Sequence, residues 1–176
     1  MVVIATFNEK QETLKSYIKD NWHRSFNEPS GVLRYKFLDP AAEYRGQLWD
    51  WDAYFCAVAV IDMFPDTAEY LKGCVCNFLE HQRSDGSIPY MICADQDNPM
   101  PALPKLGMDC RDENCDLNSM KPLISQMVMM VYSKTGDKEF LKEAYPKIKA
   151  HIRHWEKTQV ADKGLFVWRS MRGGGT

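Results

Sequence analysis

Apolar positions in the first part of the chain recur three to four apart. Leu14, Tyr17, Ile18 and Trp22 form one stripe, which predicts a helix over residues 10–24. Residues 27–31 contain Pro29 and Gly31 and read as a turn. Residues 32–38 look extended and end at Asp39-Pro40, because a residue before proline disfavours the helical region. From residue 48 to residue 63 the pattern predicts a second helix, apolar on most sides between Tyr54 and Ile61, as expected of a buried helix. Phe64-Pro65 stops it. Asp66, with Glu69 three residues on, resembles a capping box, and the following helix, to about residue 82, puts Ala68, Leu71, Val75, Phe78 and Leu79 on one face.

Residues 83–120 break this rhythm with Asp85-Gly86, four prolines and several acids. A connection of that length with little regular structure is usually functional or mobile. The next helix is expected to start at residues 118–122, with Asn118 or Ser119 as cap and Pro122 in the first turn. Its Leu123, Ile124, Met127, Val128, Met130, Val131 and Tyr132 are apolar nearly all round. The Met-rich stripe reads as core filler. Thr135-Gly136 ends this helix and Asp137 caps the next. Residues 137–145 and 146–157 then form an amphipathic pair restarted by Pro146, with Leu141, Ala144, Ile148, Ile152 and Trp155 inward and His151 and His154 on its surface. Residues 164–168 look extended.

The chain therefore alternates a buried helix, a short link, an amphipathic helix and a long link. Its predicted class is all-α, built of helical hairpins, as a single domain over residues 1–176. Short links should gather at one end of such an assembly and long loops at the other. Trp51, Asp52, Asp85, Lys121 and Trp168 all fall on the long-loop side, where a binding cleft is expected.

Composition narrows the function. The net charge of −2 with no basic run argues against nucleic acid as the main partner. No apolar stretch approaches the roughly 20 residues of a membrane span, and the apolar N-terminus lacks the features of a signal peptide. Six cysteines are read as reduced thiols of a cytoplasmic protein, with Cys110 and Cys115 open to a disulfide or a metal. The acids Asp109, Asp112, Glu113 and Asp116 lack EF-hand spacing and read as a solvated loop. No cofactor is expected.

The chemistry concentrates in Tyr44-Arg45-Gly46-Gln47-Leu48-Trp49-Asp50-Trp51-Asp52-Ala53-Tyr54-Phe55. Aromatic rings, two carboxylates and a guanidinium at the start of a buried helix suit a sugar. Its C–H faces lie on rings and its hydroxyls bond the polar groups. The plainer reading is core aromatics and a helix-start acid. Candidate sugar-binding residues are Arg45, Trp49, Trp51, Asp52, Tyr54, Asp85, Lys121 and Trp168.

Trp51-Asp52-Ala53-Tyr54-Phe55 resembles the signature of trehalases and the related segment of processing α-glucosidases and mannosylglycerate hydrolase-like enzymes. These are inverting glycosidases on an (α/α)6 toroid. The resemblance implies that Trp51 and Asp52 line the subsite of the sugar being cleaved. Arg45, six residues before Trp51, falls one position out of the trehalase register. The segment Arg83 to Tyr90 resembles the loop after an outer helix in such barrels. Lys121-Pro122-Leu123 falls where trehalases carry a Gln-Pro-Pro motif, and Lys121 adds a charge that hints at a different or anionic substrate.

By the same resemblance the chain corresponds to about the first half of a barrel. The general acid would follow Thr176 and the general base would lie in the distal half. Inversion needs both carboxyls, roughly 6.5–9.5 Å apart. Asp50 and Asp52 are a poor substitute, since two residues of a helix at about 100° each point nearly opposite ways. No catalytic residue is therefore assigned within the chain. The expectation is the substrate-binding half of an α-glycosidase, inactive alone, with a carbohydrate as ligand and the other half of the barrel as partner. The alternatives are a noncatalytic carbohydrate-binding module and a helical-repeat interaction domain. The latter is disfavoured by the missing repeat period.

Overall fold

The computed structural model describes residues 6–40, 44–95 and 119–167. Their elements are α1 (Phe7–Asn21), β1 (Phe26–Asn27), β2 (Phe37–Leu38), β3 (Gln47–Trp49), α2 (Asp50–Val60), α3 (Thr67–Glu80), β4 (Met91–Cys93), α4 (Ile124–Thr135) and α5 (Lys138–Thr158). Short 3-10 turns cover Trp22–Ser25 and Asp162–Gly164. The class is all-α, with five helices and two small antiparallel strand pairs among the described residues.

Helix α3 is the centre of the assembly. Leu71, Val75 and Phe78 are fully buried and join Ile124, Met127, Val128 and Val131 of α4, Phe140 and Ala144 of α5, Ala53 and Ala57 of α2, and Phe37 and Leu38 of β2 in one apolar cluster. Each such Phe, Leu or Val contributes on the order of 1.5–3 kcal/mol through burial. Gly73 lets β2's approach reach α3: a Cβ there would stand 2.0 Å from the Lys36 carbonyl oxygen. The α4–α5 corner follows its sequence signals. Gly136 closes α4 with φ +66°, and the Asp137 carboxylate accepts the Phe140 N–H at 3.0 Å.

Several expectations are corrected. Helix α1 starts earlier than residue 10, on a capping box in which Thr6 and Glu9 bond each other's backbone N–H. Its stripe does not reach the core: Leu14 and Tyr17 are exposed, and no residue of the helix is buried. Trp22, just beyond its end, anchors it by stacking on Phe64 at 4.3 Å and edge-on to Phe26. Residues 47–49 are strand, not helix, because β4 offers a backbone partner: Leu48 pairs with Ile92 and Trp49 with Met91.

Helix α2 is not buried all round, since Phe55 and Val58 are exposed. Met129 is likewise exposed on α4. Asp66 stands at the start of α3 in a helical conformation and makes no side-chain cap bond. Ser119 pairs with Pro89 in an isolated bridge, so α4 begins only after the Pro122-Leu123 turn. Pro146 does not restart a helix. Helix α5 runs continuously through it and packs against α4.

Both histidines of α5, expected at its surface, are buried. They lie on the same inward side as Ala144 and Trp155. Phe166 does pair with Val160 in a bridge, in line with an extended piece.

Backbone bonds stitch three distant segments around the start of α2. The Asp50 N–H donates to the Tyr90 carbonyl at 2.9 Å, Ala94 N–H to Gly46, and Met120 N–H to Ile88 at 2.6 Å. Residues 46–50, 88–94 and 119–121 therefore meet at one place.

Candidate functional site

Asp50 stands first in helix α2, and its carboxylate is 1% exposed. Burying a charge there demands partners, and they are present. Oδ1 accepts the Trp51 N–H at 2.7 Å, one of the orphan donors of the helix start. Oδ2 accepts the Lys121 N–H at 2.9 Å. The Lys121 ammonium lies 3.3 Å from Oδ1 and 3.5 Å from Oδ2. Every bond is one an ionised carboxylate accepts, and the helix dipole favours the negative charge. Burial pushes the Asp50 carboxyl up from its ordinary value; the Lys121 charge and the two backbone donors act against that push.

The same ammonium sits 4.4 Å from the centre of the Trp51 ring, a cation–π contact. Trp51 itself is partly open to solvent, at 37% exposure. Its other ring neighbour is Phe55, edge-on at 6.2 Å. Asp52 follows in the same turn and is half-buried. Burial raises its carboxyl, opposed by its own backbone N–H and by the Lys121 charge. Asp52 and the buried Asp39 in turn help burial raise the Cys56 thiol to about 11, which keeps it protonated. Asp39 accepts the Gly46 N–H at 3.1 Å and so holds the approach to β3.

The sequence-derived candidates divide. Trp51, Lys121 and Asp52 come together. Trp49 lies next to them along the chain but packs into a separate small cluster with Tyr90, Met91 and Cys93, its indole N–H donating to Gln47 at 2.9 Å. Tyr54 is half-buried against the main core and edge-on to Phe55. Arg45 lines a different hollow of about 620 Å³, together with Tyr17, Trp22, Arg24 and Cys56; none of Trp51, Asp52 and Lys121 lines it.

Asp85 is a turn residue. It accepts the Ser87 N–H at 2.8 Å and lies 3.3 Å from His154 Nδ1. That turn docks on α5 through Gly86, whose φ of +92° and 2.5 Å clearance from the Ala150 carbonyl admit no side chain. Trp168 and the acids of residues 109–116, with Cys110 and Cys115, lie outside the described residues. Among the described residues no His, Cys, Asp or Glu cluster could hold a metal, and no helix is long and apolar enough to cross a membrane.

Two structural partners were missed by sequence reasoning. Asp50 reads in the sequence as one of two carboxylates of the sugar-friendly stretch and as a poor second catalytic acid; its position ahead of an apolar helix is the signal that it is buried and needs a cation. His151 falls seven residues after Ala144, two turns along the inward stripe of α5. Its ring lies against the Gly86 carbonyl at 3.3 Å, and burial lowers its pKa to about 4.

Residues 45–173, which run from just before this cluster to near the C-terminus, match the family model of the mannosylglycerate hydrolase MGH1-like glycoside hydrolase domain. The matched span contains α2 with Trp51 and Asp52, the Asp85 turn and Lys121. The chain belongs to the mannosylglycerate hydrolase MGH1-like glycoside hydrolase family.

Proposed function

We propose that this chain supplies the substrate-binding half of an inverting glycosidase of the (α/α)6 toroid type, acting on a terminal α-linked glucosyl- or mannosyl-type sugar. The observation that carries this reading is the first turn of α2. There a partly open indole, Trp51, stands beside a half-buried carboxylate, Asp52. A pyranose presents an apolar C–H face and vicinal hydroxyls, and that pair suits both. Lys121 does not act as a free hook for an anionic group, because its ammonium is already paired with Asp50. This favours a neutral sugar at this position over the anionic one its charge first suggested.

The same geometry supports the assignment of catalysis elsewhere. Asp50 is enclosed and ion-paired, so Asp50 and Asp52 cannot work as the two carboxyls of inversion, one protonating the leaving oxygen and the other activating water. On this reading the 176-residue chain binds sugar without turnover.

Titration with methyl α-D-mannopyranoside and methyl α-D-glucopyranoside, beside hydrolysis assays with the p-nitrophenyl α-glycosides, tests the proposal. Saturable binding with no nitrophenolate release is expected. Release of nitrophenolate would refute the binding-half assignment, and failure to bind either glycoside would refute the sugar site.

A further inference from the structure

We infer that Asp50 is a positioning residue, which acts through Lys121 to fix the Trp51 indole as a platform open to a sugar on one side only. The inference deepens the sugar-binding reading of Trp51 and rests on it. Three facts carry it. The Asp50 carboxylate is enclosed and binds the Lys121 residue twice, at the backbone N–H and at the ammonium. The Lys121 side chain is 12% exposed, so it is held in place along its length. The ammonium then lies over the Trp51 ring at 4.4 Å. One cation is thus shared between a buried anion and an aromatic face.

This arrangement changes the role assigned to Lys121. An ammonium has three N–H donors and no acceptor. Here it faces a carboxylate and a ring, and what it offers the sugar is a fixed indole, not a hydrogen bond. The ring face under the cation is occupied, and stacking must use the remaining exposed surface. A large side chain ordered before binding does not lose its rotamer freedom on binding, which is the general advantage of preorganisation. Asp50 is the root of this order because it anchors α2 and the segment before α4 at once: its two oxygens bond Trp51 N–H and Lys121 N–H. Without its charge the ammonium loses the ion pair that helps to hold it over the ring.

The test uses the 176-residue chain labelled with 5-fluorotryptophan, the Trp51 fluorine resonance being assigned by its loss in Trp51→Phe. Affinity for the two methyl α-glycosides is measured for Asp50→Asn, Lys121→Met, the double variant and Lys121→Arg. The single changes are expected to weaken binding by about three- to tenfold each, and the double variant by no more than either. Lys121→Arg, which keeps the charge and can both pair with a carboxylate and stack on a ring, is expected to weaken binding less than Lys121→Met does.

A direct sugar contact by Lys121 gives a different result: Lys121→Met weakens binding while Asp50→Asn leaves it unchanged or tightens it. That outcome, or additive losses, overturns the inference. If the single variants lose their helical circular dichroism, the charge-balanced double variant decides: weaker binding together with a displaced Trp51 fluorine resonance upholds the inference, and unchanged binding, or weaker binding with an unmoved resonance, overturns it.

If the parent protein binds neither glycoside, the sugar reading fails, and the fluorine resonance judges the positioning alone. A displaced Trp51 signal in both Asp50→Asn and Lys121→Met upholds it. A Trp51 signal unmoved by Asp50→Asn overturns it.

Discussion

The ammonium of Lys121 lies 3.3 Å from Oδ1 of Asp50, in a pair whose side chains are 12% and 1% exposed. A pair this enclosed differs from the surface ion pairs of the same chain, such as Lys15 with Glu12 or Lys142 with Glu139, whose members are more than half exposed. Removing one partner of a buried pair leaves an uncompensated charge. Lys121→Met is therefore expected to destabilise the fold by about 3–5 kcal/mol at neutral pH, and the Asp50→Asn/Lys121→Met double variant by much less. Urea denaturation of the four forms measures this.

The pH dependence of that loss has a definite sign. Asp50 already has a folded pKa raised by burial, and Lys121 is the largest influence opposing the rise. In Lys121→Met the folded value climbs further. The folded state then holds a proton that the unfolded chain releases, so stability falls as pH rises from the unfolded value through the folded one. The deficit of Lys121→Met relative to the parent should shrink as pH is lowered from about 7.5 to about 5, as read from paired urea midpoints.

His151 works in the opposite direction. Burial among the Gly86 turn and α5 lowers its pKa from 6.5 to about 4. The unfolded chain takes up the proton first, so the stability from the neutral ring is complete above about pH 6.5 and is lost as pH falls through about 4. The loss amounts to about 3 kcal/mol. The urea midpoint of His151→Gln should therefore fall less steeply than that of the parent between those pH values.

Gly86→Ala tests the docking of the Asp85 turn. The position combines φ +92° with a backbone carbonyl 2.5 Å from where a Cβ would stand, that of Ala150 within helix α5. A loss of more than about 1 kcal/mol is expected, visible as a lower thermal midpoint. An unchanged midpoint would show that the turn does not bear on α5.

The sequence carried the helical class, because α3, α4 and α5 each keep an apolar stripe at helical spacing over many turns, and Gly136 with Asp137 mark a helix boundary by local chemistry. It did not carry the β3–β4 pair. Leu48 and Trp49 look like the start of a helix until residues 91–93, more than forty positions away, supply the ladder. Thr6 and Glu9 carry the capping-box signal that starts α1 ahead of its apolar stripe.

The motifs name Trp51, Asp52 and Lys121, and the fold brings these three together. The Asp50–Lys121 bond is not legible in the sequence, since nothing local ties position 50 to position 121. Asp85 is a candidate because long loops are expected to gather at one end, and Arg45 because it shares a stretch with Trp51. In the fold the Asp85 turn bonds α5, and Arg45 lines the hollow beside α1.

The most direct measurement is a calorimetric titration of the 176-residue chain and its Trp51→Ala variant with methyl α-D-mannopyranoside and methyl α-D-glucopyranoside, with far-ultraviolet circular dichroism on both proteins. Trp51 is an exposed ring at the start of α2, so its removal should leave the helical spectrum unchanged and weaken binding at least tenfold. Equal affinity in the two proteins, or a loss of binding matched by a loss of helix, would contradict the assignment of this indole as the sugar platform.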